Sequence, residues 1–189
     1  MPDLPTQAAE AGKLVGQLDA LDLPGDVTRG AELCAALVRL AQQIARAGDL
    51  PLASTYSAVA AEASARVAQA SPPHGRVTHT WILGAHASLL SDGRRLDEAR
   101  RFLDEAVTTL NEQDLVDPAM WDGRRAEVML VSALCYYRQG RLPEALDHAE
   151  ASGFATRGFD QPVQRVVEMI GAGFDLLIRK PDGLLSIVP

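Results

Sequence analysis

Gly48-Asp49-Leu50-Pro51-Leu52-Ala53 returns 140 − 48 = 92 residues later as Gly140-Arg141-Leu142-Pro143-Glu144-Ala145. Midway between them stands a looser copy, Gly93-Arg94-Arg95-Leu96-Asp97-Glu98-Ala99. Working outward, Ala53, Ala99 and Ala145 are spaced 99 − 53 = 46 and 145 − 99 = 46 residues apart. The same step links Leu50, Leu96 and Leu142, then Ala41, Ala87 and Ala133, then Ala60, Ala106 and Ser152. A fixed step of this size marks a repeat protein, whose units bury their apolar faces against their neighbours.

The quoted stretch is itself a helix-turn-helix signal. Before it, Leu33, Leu37, Leu40, Ala41 and Ile44 keep a helical period from Val27 to Ala47, with Asp26 as the expected N-cap. Gly48 ends that helix, since a C′ glycine enters the left-handed region at little cost, and Leu50 is placed for the apolar contact that follows such a cap. Pro51 opens the next helix where its missing N–H is not needed. In the middle copy the glycine comes one residue early, which predicts a turn longer by one residue. Residues 6–20 read as a short N-terminal helix closed by Leu23-Pro24-Gly25-Asp26. Looser loops are expected at 71–75, 113–118 and 153–160. A last helix over 161–179 carries the stripe Val163, Val166, Val167, Ile170, Phe174 and Leu177 and is expected to cover the open end of the third unit. The apolar tail 184–189 packs either on its own domain or on another chain, the latter making a homo-oligomer.

The predicted fold is therefore all-α. It is an α-solenoid of three helix-turn-helix repeats (26–72, 73–116 and 117–158), preceded by a segment over 1–25 and followed by a capping helix and tail over 161–189. Composition agrees. Apolar residues make up 47% of the chain but aromatics only 5%, so the core is built of Ala, Leu and Val. The net charge of −7 argues against a phosphate footprint, and no nucleic-acid partner is expected. No stretch approaches the roughly 20 apolar residues of a membrane span, and no secretory leader precedes the first helix, so the expected location is cytoplasmic without membrane contact. Cys34 and Cys135 lie in apolar helical stretches of the first and third units and read as buried thiols rather than a disulfide.

At matched positions the chain resembles the tetratricopeptide repeat family. Ala41, Ala87 and Ala133 are the small residues late in the first helices, with Ile44, Leu90 and Tyr136 as the large residues three positions on. Gly48, Gly93 and Gly140 stand at the turns, and the second helices carry small pairs seven apart at Ala53/Ala60, Ala99/Ala106 and Ala145/Ser152. Helices approach closely only where the facing residues are small. The step of 46 exceeds the family's usual length of about 34 residues. The proline that normally ends the second helix is replaced by Ala65, Asn111 and Arg157. Longer helices account for both departures, as in the repeat regions of bacterial signalling and transcriptional regulators.

The resemblance implies a right-handed superhelix whose concave groove is lined by the first helices. Carried over position by position, the groove residues are Val38, Gln42, Ala45 and Arg46, then Trp81, Gly84, Ser88 and Asp92, then Glu127, Leu130, Leu134, Tyr137 and Arg138. Of these, Gln42, Arg46, Trp81, Ser88, Glu127, Tyr137 and Arg138 are the candidates for contacting a partner. Trp81 and Tyr137 serve as aromatic anchors, and Arg46 and Arg138 as carboxylate grips. Val38 and Glu127 replace the lysines with which chaperone-binding members hold a C-terminal carboxylate, so such tails are not expected ligands.

No catalytic motif appears. His74 and His79 are five apart across a loop, and His86 reads as a packed or inter-repeat residue. Gly171-Ala172-Gly173 lies inside a predicted helix, and Asp97-Glu98 suits a helix start. No cofactor and no metal are expected. The function that follows is a non-catalytic adaptor or scaffold binding a protein or peptide. The alternatives are a secretion-type chaperone for an exported partner and a regulatory repeat domain sensing a small ligand or peptide.

Overall fold

The computed structural model describes residues 3–23, 25–72, 74–111 and 118–152, with side chains described except at 74, 111 and 118–123. The expected capping helix, the tail and the loops 113–117 and 153–160 lie outside the described residues. Those described form seven α-helices and no strand: α1 (Leu4–Asp19), α2 (Val27–Arg46), α3 (Leu50–Ala70), α4 (His74–Asp92), α5 (Leu96–Asn111), α6 (Pro118–Arg138) and α7 (Leu142–Ala151). None is long and apolar enough to cross a membrane.

Local chemistry sets most of the boundaries. Asp3 caps α1 by accepting the Thr6 N–H at 3.0 Å, and Asp49 caps α3 through the Leu52 N–H at 3.0 Å. Asp26 does not act as expected. It occupies the N-cap position of α2 without a side-chain capping bond; only its backbone is engaged, the carbonyl by the Gly30 N–H at 2.8 Å and the N–H on the Asp22 carbonyl at 3.3 Å. Pro51 and Pro143 fall in the first turns of α3 and α7, where a proline costs no hydrogen bond.

The three turns inside the hairpins are the same turn. After α2, the Gly48 N–H reaches the Ala45 carbonyl at 3.0 Å and the Asp49 N–H reaches the Ile44 carbonyl at 3.2 Å. After α6, Gly140 bonds Tyr137 at 3.0 Å and Arg141 bonds Tyr136 at 3.0 Å. After α4, Arg94 bonds Ser91 at 3.1 Å and Arg95 bonds Leu90 at 2.9 Å. This paired pattern is a Schellman cap, with its left-handed residue at Gly48 (φ +98°), Arg94 (φ +59°) and Gly140 (φ +75°). The middle turn is therefore not one residue longer. The step of 46 holds through it, because Arg94 itself takes the left-handed conformation and Gly93 sits one place before it.

Each turn folds its helices into a hairpin: α2 with α3, α4 with α5, and α6 with α7. Ala41, Ala53, Ala60, Ala87, Ala99, Ala106, Ala133 and Ala145 are all fully buried, as the matched spacing predicts for helix contacts. The first helices touch in sequence, α2 against α4 and α4 against α6, whereas among the described residues α3 does not touch α5 and α5 does not touch α7. α4 is the centre of the molecule. It packs against α2, α3, α5 and α6, and every residue from 81 to 90 is buried, which is why its apolar residues go all round the helix. α1 lies on α2 and α3, with the Tyr56 hydroxyl donating to the Ala8 carbonyl at 3.1 Å. Gly75, in the first turn of α4, meets α3 so closely that a Cβ there would stand 2.5 Å from the Val67 carbonyl oxygen.

Candidate functional site

The first helices are the elements to which the groove residues were assigned, and packing divides that set in two. Gln42, Trp81, Ser88 and Glu127 are buried, as are Val38, Gly84 and Leu130. Trp81 is 4% exposed, and the Arg124 guanidinium lies 5.7 Å over its ring while also holding the Glu127 carboxylate at 2.8 Å. Trp81, Arg124 and Glu127 therefore form the seam between α4 and α6. Gly84 belongs to the same seam, since a Cβ there would meet Val128 at 3.6 Å. Arg46 and Asp92 are exposed, and Ala45, Leu134, Tyr137 and Arg138 are half-buried. All six lie toward the C-terminal ends of α2, α4 and α6, so the accessible part of the predicted groove is a strip beside the hairpin turns.

Charge in that strip is organised by the repeat step. Arg46, Asp92 and Arg138 occupy equivalent positions, 46 residues apart, with alternating sign. Arg138 donates to the Asp92 carboxylate at 2.7 Å and to the Ser91 hydroxyl at 2.7 Å, pinning the end of α6 to the end of α4. Its guanidinium is thus already paired with a carboxylate of the same chain. The signal for this pair was present in the sequence as opposite charges at matched positions of α4 and α6, which run side by side.

A second polar constellation fills the joint between α3 and α4. Ser57 Oγ lies 2.8 Å from His86 Nδ1, and Ser64 Oγ lies 2.8 Å from His79 Nδ1, with all four residues buried. The two serines and the two histidines are each seven residues apart, two turns on helices running in opposite directions, so both pairs fall in register. Each hydroxyl also reaches a carbonyl three residues back, Ser54 at 3.0 Å and Ala61 at 2.8 Å. A hydroxyl has one proton; with that proton on the carbonyl, Nδ1 of each imidazole is the donor to Oγ.

The far sides of the two rings differ. His79 Nε2 faces the half-exposed Glu105 carboxylate at 3.4 Å, whereas His86 meets the Phe102 ring edge-on at 4.7 Å. Burial pushes His86 down to about 4, aided by Arg95 and opposed by Glu98. Burial also lowers His79, against the opposing pull of Glu105. A shallow recess on α5 along Glu98, Arg101, Phe102 and Glu105 opens over this joint. The chain Ser64–His79–Glu105 has the residue types of a hydrolytic triad but not the open nucleophile of one. Ser64 is fully buried and its proton is committed to a carbonyl, so no substrate carbonyl reaches the oxygen. The sequence reading of His86 as an inter-repeat packing residue is correct. The matched seven-residue spacing of Ser57/Ser64 and His79/His86 was the overlooked signal.

Cys34 and Cys135 are both buried free thiols. Burial raises Cys34 to about 11, and the Cys135 thiol, also raised by burial, donates to the Leu96 carbonyl at 3.5 Å. Neither has the lowered pKa of a nucleophile. Among the described residues no cluster of three His, Cys, Asp or Glu side chains is placed to hold a metal ion. Comparison with protein-family models, with curated proteins and with solved structures finds no match to this chain.

Proposed function

We propose that this protein is a non-catalytic helical-repeat scaffold, a tetratricopeptide-like α-solenoid that binds a protein or peptide segment along its row of first helices. The observation carrying this reading is the unequal contact between layers. α2, α4 and α6 touch in succession, while α3, α5 and α7 do not. A stack whose first helices are close and whose second helices are apart curves toward the first helices and presents them as a concave face. The accessible strip on that face holds Tyr137 and Leu134 beside the paired Asp92 and Arg138, an aromatic and aliphatic centre with a polar rim. Trp81 supports this face from beneath as part of the α4/α6 seam.

The test is affinity purification from the native host followed by direct binding of the recovered partner to purified variants. Tyr137→Ala combined with Leu134→Ser is expected to weaken binding at least tenfold while leaving the helical circular dichroism unchanged. A control, Ala58→Ser on the exposed outer face of α3, leaves binding intact. Undiminished affinity in the Tyr137/Leu134 variant sinks the groove reading.

A further inference from the structure

The α3/α4 joint is held by paired hydrogen bonds between neutral imidazoles and serines, and the two imidazoles accommodate a second proton differently. A proton added to His79 Nε2 lands between the ring and the Glu105 carboxylate, 3.4 Å away, while Nδ1–H stays on Ser64. The charged ring has a partner on both nitrogens, and Glu105 offsets part of the burial that still holds His79 below its ordinary value. A second proton on His86 charges a ring that is 3% exposed and packed edge-on against Phe102, where among the described residues no carboxylate stands as Glu105 does for His79. The charged groups acting on His86 are Arg95, which opposes its charging, and Glu98, which favours it but is already held by two bonds from Arg95 at 2.7 Å and 2.6 Å. Ser57 from α3 and Phe102 from α5 pack on it, and among the described residues the charged group acting on His79 is Glu105. Among the described residues, α2 and α6, which also pack on α4, place no charged group that acts on either ring.

We propose that this joint is a proton-operated hinge: below neutral pH, charging of His86 separates α3 from α4 and swings the first hairpin, with α1, away from the second, while His79–Glu105 tolerates its own proton. The route for opening is short, because among the described residues α3 and α5 do not touch, and the two hairpins meet through α4 and the turn at Gly93, which Leu50 approaches. Hydration of the opened ring removes the penalty that burial imposes, so acid favours the open form. Opening parts α2 from α4 and interrupts the row of first helices.

The experiment is hydrogen exchange of the full chain at pH 7 and pH 5, corrected for intrinsic rates. With His86 at about 4 when closed and at its ordinary 6.5 when exposed, the opening constant for amides of α3 and α4 rises about twentyfold between these pH values. Amides of α6 and α7 change far less. The Ser57→Ala/His86→Leu variant, an apolar filling of the same space, loses most of this pH dependence. A flat wild-type profile, or a variant that keeps the wild-type profile, overturns the proposal. The His86 imidazole signal in wild type decides the matter independently of whether the variant folds. A protonation midpoint near 6.5 in a closed joint refutes the hinge. A depressed midpoint accompanied by loss of α3–α4 contacts supports it.

Discussion

The joints α3/α4 and α5/α6 occupy equivalent places in the repeat and are filled with different chemistry. In the first, Ser57, Ser64 and His86 are buried and hydrogen-bonded. One step of 46 onward, their counterparts are Leu103, Leu110 and Ser132, all buried. Similar helix geometry thus accepts a polar or an apolar filling. The polar one holds only while every partner is present, and it responds to protons. The apolar one depends on volume. Ser132 shows the cost of a half-changed site. It stands at the position of His86, its counterpart partner is Leu103, and its buried hydroxyl has no hydrogen-bond partner among the described residues. Length differs too: α5 has 16 residues where α3 has 21, and Arg125, the counterpart of buried His79, is exposed.

The contrast can be broken most severely at Gly75, where the first joint closes tightest. Gly75→Ala drives a Cβ against the Val67 carbonyl and the Ala68 Cα, both backbone, and is expected to destabilise by about 3 kcal/mol or more in chemical denaturation. A loss under about 1 kcal/mol would mean that α4 does not dock there so closely.

Comparable truncations then separate the two fillings. Leu103→Ala costs about 2–4 kcal/mol through its cavity, with little dependence on pH. Ser57→Ala removes a single oxygen and costs about 1–2 kcal/mol at neutral pH by orphaning His86 Nδ1. The sign of the pH effect follows from the direction of the shift. The folded state binds the His86 proton more weakly than the unfolded state, so the associated stability is fully present above pH 6.5. It is lost as pH falls from 6.5 toward 4, a change of about 3 kcal/mol over that window. Equal pH slopes for wild type and Ser57→Ala/His86→Leu would erase the distinction.

The two smallest effects are gains. Arg94→Gly relieves a non-glycine residue in the left-handed region and is expected to add about 0.5–1 kcal/mol, after the entropy cost of glycine. Ser132→Ala removes the orphaned hydroxyl from the second joint and is expected to raise the thermal midpoint slightly, on the order of 0.5 kcal/mol. A loss of stability in either variant contradicts the reading of these sites.

Much of the helix order was legible because it rests on local chemistry. The Gly48 and Gly140 caps, Pro51 and Pro143, and the small residues at Ala53, Ala99 and Ala145 each act within a turn or two of their own position. The failures were of two kinds. At Asp26 and Gly93 a sound local preference yielded to its neighbours: Asp26 leaves its cap unmade, and Arg94 absorbs the strain that keeps the middle turn in step. Along α2, α4 and α6, matched spacing does not reveal how far each helix face is covered. Gln42, Trp81, Ser88 and Glu127 lie on the assigned helices, yet adjacent packing takes them out of solvent.

The sequence by itself determined the all-helical character, the turns, the step of 46 and the small residues at helix contacts, since periodicity and capping are properties of neighbouring residues. Only the tertiary structure decided that His86 is shut in beside Ser57 and Phe102, that Arg138 is matched to Asp92, and that Leu134 and Tyr137 stay partly open. Burial and pairing depend on residues tens of positions away, brought close by packing.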